Sequence, residues 1–427
     1  MVGFPSLPLR GTLRLRPAVG PWHRPALSVA VATLLPNLLL LVLGRLDLVL
    51  YTSAGTMCAL FTHALPYRER ARALAWVVLG MAATVGVALT AAATVRSTVV
   101  LIALAALLAC LHKLLCDATR LGPPGNVIFT FVGASAFFVP QRLGEIPAHL
   151  GLVLVGGAVA WAVCLAPALV KPHGPALTLG VPRAPQGLGS LLPLAVRVGV
   201  SCALAGWASL AAGVGHPYWA VVTAAAVHRA NTSVSWQRAL QRTVGSLLGL
   251  VLFTATVPLS RASGYGALVA LLLIGGCQIG AEATITRNYW VAQVFVTPMA
   301  LLLVSIGDLA GTGSAEPVSA LVGDRWLDTV LGAAFGILSA VLVTNRRASD
   351  RLARALRRTE AAVAAVPQVS RVRLADSLHE LRESADGHAG EWWQRPIAIE
   401  EVQRVEREGH RVLALLGERE SADVRAA

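Results

Sequence analysis

Apolar residues run along this chain in long blocks, separated by short breaks rich in polar residues, proline or glycine. A bilayer core of about 30 Å needs about 20 mostly apolar helical residues, and the runs of that kind fall into two sets of six. The first set covers 26–43, 47–65, 72–94, 97–115, 126–140 and 148–169. The second covers 190–212, 217–230, 239–257, 264–283, 289–306 and 326–344. From Asn345 the pattern changes to apolar positions at helical spacing among charges, through Leu352, Leu356 and Val363. It breaks at Pro367, resumes through Leu374, Leu378 and Leu381, and breaks again near Trp392 to Pro396 before a last helix that ends about Leu416. The pattern predicts an all-α polytopic membrane protein of about twelve transmembrane helices with a helical tail. Its divisions are an N-terminal segment (1–25), a first six-helix unit (26–170), a linker (171–189), a second six-helix unit (190–344) and the tail (345–427).

Composition supports the membrane class, because 55% of the 427 residues are hydrophobic and only 14% are charged. Residues 1–344 hold 21 Lys and Arg against 9 Asp and Glu, so nearly all of the net +13 belongs to the apolar part. Basic residues placed between apolar runs serve topology and lipid headgroups, which argues against nucleic-acid binding and names membrane lipid as a partner. Their distribution sets an orientation. The N-terminus and the even-numbered loops carry 16 of them, whereas the odd-numbered loops carry 5: Arg45, Arg96, Arg142, Arg261 and Arg325. Positive charge is retained in the cytoplasm, so both termini, the linker and the tail are expected there, in a multi-pass protein of the plasma (inner) membrane. Arginines before the first run resemble a signal peptide, but the many spans that follow make it a retained first helix. The six cysteines lie in or beside apolar runs without metal-like spacing, which predicts neither a disulfide frame nor a metal site.

Sliding the chain on itself by 170 residues places Arg68 on Arg238 and Arg72 on Arg242, with apolar runs superposed on both sides. With six spans per half, the halves enter the membrane from the same side and form a parallel repeat. The alternative is that paired arginines mark two unrelated basic loops.

The stretch His216-Pro217-Tyr218-Trp219-Ala220-Val221-Val222-Thr223 is followed by Arg238-x3-Arg242-x2-Gly245-x3-Gly249, and later by Arg287-Asn288-Tyr289-Trp290 with Thr297-Pro298. This succession resembles the fusaric acid resistance and aromatic acid exporter family over about residues 195–300. The first half follows that family in outline only, since Asp47 to Tyr51 stands where Pro-Tyr-Trp is expected. The resemblance implies efflux of aromatic or other organic carboxylates. Related plant malate channels are dimers of six-span chains with helical tails, which implies a fused dimer or a homodimer formed through the membrane part or the tail.

Candidate substrate-binding residues are Arg238, Arg242, Arg68, Arg72, Asn288, Thr297 and Tyr218. Arginines four apart at the start of a helix attract an anion, or else anchor the helix among headgroups. Proline in a span frees a carbonyl that a substrate or ion can use, or kinks the helix for packing. Tyr218 and Trp219 read either as interface belt or as a stacking site for an aromatic ring. Glu282, His63 and His228 are proton-coupling candidates, with His112 a further histidine near the cytoplasmic end of a run, because ionisable groups in apolar runs are costly. Glu282 also stands near enough in sequence to pair with Arg287. Gly245 and Gly249 suit close helix packing. Asp308, Glu316, Asp324 and Asp328 flank the last outer loop and read as solvated.

No phosphate-binding loop, serine-nucleophile elbow or zinc-protease motif is present. The expectation is a non-enzymatic secondary exporter of small organic anions that needs no cofactor. A passive anion channel, a membrane-embedded enzyme built on His63 or His228, and a scaffold acting through the tail are the alternatives.

Overall fold

The computed structural model describes residues 11–17, 22–169, 188–229, 231–262, 265–306, 317–342, 347–365, 371–390 and 399–426. Among them are fifteen α-helices and no strand. Twelve follow the apolar runs: α1 (His23–Val42), α2 (Val49–Thr56), α3 (Tyr67–Thr94), α4 (Thr98–Ala118), α5 (Asn126–Ala136), α6 (Ile146–Leu165), α7 (Leu188–Ala211), α8 (Tyr218–Val227), α9 (Thr232–Ala262), α10 (Gly266–Ile285), α11 (Tyr289–Val304) and α12 (Val318–Leu342). The tail supplies α13 (Arg347–Ala364), α14 (Arg371–Ala389) and α15 (Ile399–Ala426). The two tail breaks expected at Pro367 and at Trp392 to Pro396 lie outside the described residues.

Eight of the twelve are long and apolar enough to cross a bilayer, and four are shorter: α2 with its flanking turns, α5, α8 and α11. Their order along the chain is long, short, long, long, short, long, and then the same again. Position in the bundle explains the difference. All ten residues of α8 are buried, as are seven of the eight in α2, whereas the exposed large apolar side chains stand on long helices, such as Leu35 and Leu39 of α1, Trp76 of α3, Leu107 of α4 and Leu272 of α10. Helices facing hydrocarbon must span it because nothing else satisfies their backbone there, whereas helices enclosed by protein are free to be short. This is a polytopic helical membrane protein with an apolar outer surface and a core built on short helices.

Packing in the first half recurs six helices later. The contacts α2–α6, α3–α6, α3–α5, α4–α5, α1–α6 and α1–α2 have counterparts in α8–α12, α9–α12, α9–α11, α10–α11, α7–α12 and α7–α8. The halves meet through α4–α7 and α1–α10, a pair of contacts that exchange when the halves are swapped; α5–α8 and α2–α11 are likewise related.

Glycines set the closest approaches. Gly245 faces the Trp290 carbonyl and Gln293, and Gly249 faces Thr297, so both serve to pack α9 on α11. In α3 and α5 the same crossing puts Gly80 against Phe129 and Thr84 against Gly133. Gly80 then corresponds to Gly245 and Thr84 to Gly249. In that register Val77 stands where Arg242 does, so the packing does not keep the sequence pairing of Arg72 with Arg242.

The last membrane helix starts at Val318 and not at 326. Arg325 and Asp328 are therefore interior residues of α12, both buried, rather than parts of a solvated loop. Asp324 accepts from the Gly215 amide at 2.9 Å and lies 3.3 Å from His216. Asp308 and Glu316 lie outside the described residues.

The tail helices close on Leu352, Ala355, Leu381, Val402 and Val405. Ion pairs Arg358–Glu380, Arg382–Glu406 and Arg404–Glu360 tie the three together, though exposed pairs contribute only about 0–1 kcal/mol each. The tail reaches the membrane part at the turn before α9, where Asn231 donates to the Asp386 carbonyl at 3.1 Å and Ser233 N–H donates to the Gly390 carbonyl at 2.9 Å.

Gly245→Val places a branched side chain where α11 backbone now lies. Overpacking of this kind costs about 1–3 kcal/mol, so thermal unfolding of the detergent-solubilised protein is expected several degrees lower. Gly276→Val is the control, since open space surrounds that glycine, and an equal loss in both variants would contradict the packing role.

Candidate functional site

Arg242 lies on α9 in the second half, with 3% of its surface exposed. Its Nε donates to Thr223 Oγ1 at 3.2 Å, and its Nη1 donates to the Tyr289 hydroxyl at 2.7 Å and to Gln293 Oε1 at 3.4 Å. All three acceptors are neutral, so the guanidinium is hydrogen-bonded but its charge is not balanced there. Arg238, one turn earlier, sits over the Tyr289 ring with its Cζ 3.1 Å from the ring centroid, while its Nε has no partner. Thr297 donates to the Gln293 carbonyl at 3.0 Å, which keeps its hydroxyl within α11.

Tyr289, Gln293 and Thr297 fall at intervals of four, one per turn, and form a polar stripe on an otherwise apolar helix. That spacing is the sequence signal by which Tyr289 and Gln293 could have been found. Arg325 carried a weaker one, because an arginine beside a loop reads as part of the loop. In the structure its Cζ lies 5.0 Å from the Trp219 ring centroid, and its Nε and Nη1 are buried without a hydrogen-bond partner. Trp219 and Thr223 are one turn apart on α8, so Arg325 and Arg242 are held against successive turns of one helix.

Arg197 is also buried but differs in kind. It donates to the Ser339 and Ala340 carbonyls at the end of α12 and to Thr232 Oγ1, and a cation there complements the helix dipole. Among the described residues four arginines are buried (Arg70, Arg197, Arg242 and Arg325) against one carboxylate, Asp328. Asp328 Oδ1 accepts from Ser209 Oγ at 2.5 Å, and its Oδ2 has no partner.

A cavity of about 400 Å³ lies between α2, α3, α5, α8 and α11, at the ends of α5 and α11 and the beginnings of α2 and α8. Tyr51, Met57, Phe131, Phe138, His216 and Tyr218 are among its lining residues. Tyr218 is 6% exposed and turned into the bundle, not outward into a headgroup belt. Its ring lies 5.4 Å from that of Trp219, which stacks on His216 at 4.8 Å.

A segment near the N-terminus covers the opposite end. Gln241 donates to the Thr12 carbonyl at 2.8 Å, Asn288 to the Thr12 and Arg14 carbonyls at 3.1 and 2.9 Å, and Trp290 to the Leu13 carbonyl at 2.9 Å. Arg16 N–H donates to the Arg287 carbonyl at 3.1 Å. Asn288 also caps α11 by accepting from Trp290 N–H at 3.4 Å, so both ends of its amide are engaged.

The remaining candidates lie apart from this cluster. Arg68 and Arg72 are exposed on the first turns of α3, and the buried guanidinium there is Arg70, which donates to the carbonyls of Thr62, His63 and Cys164. His63 bonds the Ala59 carbonyl at 2.6 Å. His228 contacts the hydroxyls of Ser201 and Ser339 at 2.9 and 3.0 Å. Glu282 is half-buried on α10 and forms no ion pair with Arg287, whose Nε donates instead to the Arg16 carbonyl at 3.4 Å. In the first half the interior polar network is neutral: Asn37 donates to Ser53 Oγ at 2.9 Å and accepts from Thr52 Oγ1 at 2.7 Å.

The fold and site define a helical membrane protein whose second half has a cationic interior. That half also carries its relationship to known proteins, since residues 203–339 match the profile of the family described as "Fusaric acid resistance protein-like". An uncharacterized membrane protein of Bacillus subtilis (strain 168), YvaC, is 31% identical over 160 residues, which is 37% of this chain. The matched region is 24% of that protein's length. No solved structure matches.

Asn288→Ala removes two hydrogen bonds to the N-terminal segment, each contributing about 0.5–1.5 kcal/mol. Limited trypsin digestion is expected to cut after Arg14 several-fold faster than in the wild type. Unchanged cleavage would contradict the anchoring role of Asn288.

Proposed function

We propose that the protein is a secondary exporter of small organic anions, aromatic carboxylates among them, and that the anion passes along α8 in the second half. The observation that carries this reading is that Arg242 and Arg325 are buried against successive turns of α8 with no carboxylate paired to either. A buried cation of that kind is costly unless it meets an anion. The family match over 203–339 supports a membrane transporter in general terms, and the cavity beside Tyr218 offers an anion with an apolar body a place at the far end of the column.

The recurring helix order and packing support reading the twelve helices as two parallel copies of one six-helix unit. The buried Arg242 and Arg325 support a path through the second copy, with the first, whose interior network of Asn37, Thr52 and Ser53 is neutral, as its scaffold. The bias of Lys and Arg supports cytoplasmic termini in the inner membrane. On that orientation Arg238, Arg242 and the N-terminal segment face the cytoplasm, and the cavity faces outward. An inside-negative potential then favours anion exit by about 2.3 kcal/mol per charge per 100 mV.

The test is efflux of radiolabelled benzoate from proteoliposomes. Wild-type protein is expected to release it, and Arg242→Gln to slow release about tenfold or more, equivalent to about 1.4 kcal/mol, while remaining folded. Arg68→Ala combined with Arg72→Ala is expected to leave the rate within about twofold. Absence of flux through wild type for any carboxylate in a panel, or equal loss in both variants, would overturn the proposal.

A further inference from the structure

We propose that Arg325 forms a second anion position, one turn of α8 nearer the cavity than Arg242, and that its occupancy is linked to protonation of Asp328. This rests on the anion reading above and adds to it a site and a proton.

The geometry begins with unmet hydrogen bonds. Arg325 is 1% exposed with Nε and Nη1 unpartnered, and the Trp219 Nε1 donor beside it is buried and unpartnered as well. Buried donors left without acceptors cost about 1–3 kcal/mol each. Three of them on two side chains in contact, one a fixed positive charge, suit an oxyanion such as a carboxylate or sulfonate. Trp219 lies directly beneath His216 and next to Tyr218, both of which line the cavity. The position is thus a step between the Arg242 site and open space.

Asp328 follows Arg325 by three residues on α12, a spacing that puts the two on neighbouring parts of one helix face. Even so, they form no ion pair: Oδ1 is held by Ser209 on α7, and Oδ2 has no partner. A carboxylate in that place and an anion at Arg325 draw on the same positive charge. When the anion binds, the guanidinium no longer favours the ionised carboxylate, so Asp328 takes up a proton more readily. Linkage is reciprocal, so the anion binds more tightly when Asp328 is protonated.

On α12 itself Asp324, one turn before Asp328, accepts from the Gly215 amide and contacts His216, and after α8 the Arg229 N–H donates to Ser235 Oγ at 3.0 Å. On α7, Arg197 bonds the carbonyls at the end of α12, and Cys202 donates to the Val221 carbonyl. At α8, His216 contacts Asp324, Tyr218 lines the cavity, and His228 contacts Ser201 and Ser339. On α9, Arg242 is bonded to Thr223 and Tyr289, Arg238 covers the Tyr289 ring, and Arg261 lies exposed on its last turn. None of them contacts Asp328 through a hydrogen bond or an ion pair.

The experiment is calorimetric titration of benzenesulfonate, whose charge does not vary with pH, into the full-length protein in nanodiscs, in mildly acidic and mildly alkaline buffer. Wild type is expected to bind about tenfold more tightly in acid, the same factor by which the bound anion strengthens proton binding at Asp328. Asp328→Asn keeps an acceptor for Ser209 and is expected to bind equally at both pH values, with the affinity of the acid wild type. Arg325→Gln is expected to weaken binding and abolish its pH dependence, and Arg325→Lys to weaken it while keeping the dependence. If wild type binds with a pH dependence that Asp328→Asn retains, or Arg325→Gln binds as wild type does, the present proposal is overturned and the Arg242 site stands. If wild type binds no anion at either pH, the exporter reading itself falls.

Discussion

A guanidinium moved from water to the centre of a bilayer costs about 2.5–3.5 kcal/mol on insertion scales and more in continuum terms. Two of them that form no ion pair consume a large share of the 5–15 kcal/mol by which a folded protein is ordinarily stable. The second half of this bundle buries Arg242 and Arg325 inside its apolar region, where part of that cost applies. Much of the surrounding architecture offsets that cost. Thr223, Tyr289 and Gln293 supply acceptors to Arg242, and Trp219 offers Arg325 the face of its ring. The glycines of α9 and α12 bring α11 and α8 close enough for those contacts to form. Short, wholly enclosed helices are what permit such polar surfaces at membrane depth, since lipid never reaches them.

The two halves solve the same packing problem with different interiors. Where the second half is lined by arginines, the first uses hydroxyls and an amide, Thr52, Ser53 and Asn37, which satisfy one another without net charge. Its one buried arginine, Arg70, is turned onto backbone carbonyls at the helix ends and closes a corner of the fold. Sharing a helix order does not require sharing an interior, and three of the four arginines buried among the described residues lie in the second half.

Much of this was legible in the sequence because a bilayer imposes a length on apolar runs, and twelve runs led to twelve helices. Arg238, Arg242 and the two glycines were readable from helical spacing. The succession of motifs from His216 to Pro298 falls within the region that the family profile matches. The errors have a common physical origin at helix ends. Hydropathy counts Arg325 as a loop residue and starts the run at 326, whereas the helix begins at Val318 and buries both Arg325 and Asp328. Pairing Arg72 with Arg242 aligned charges, whereas the helix crossings align Gly80 with Gly245 and put Val77 in that place. The hold of the N-terminal segment on Asn288 and Trp290 is made through backbone carbonyls, which no side-chain pattern announces.

Anomalous diffraction from crystals soaked in bromide would locate anions in the interior without assuming a substrate. An uncompensated cationic column along α8 predicts anomalous peaks beside Arg242 and Arg325, against Thr223 and Trp219, that vanish individually when either arginine is replaced by glutamine. Peaks confined to the exposed arginines of the tail, with none in the bundle, would contradict the account.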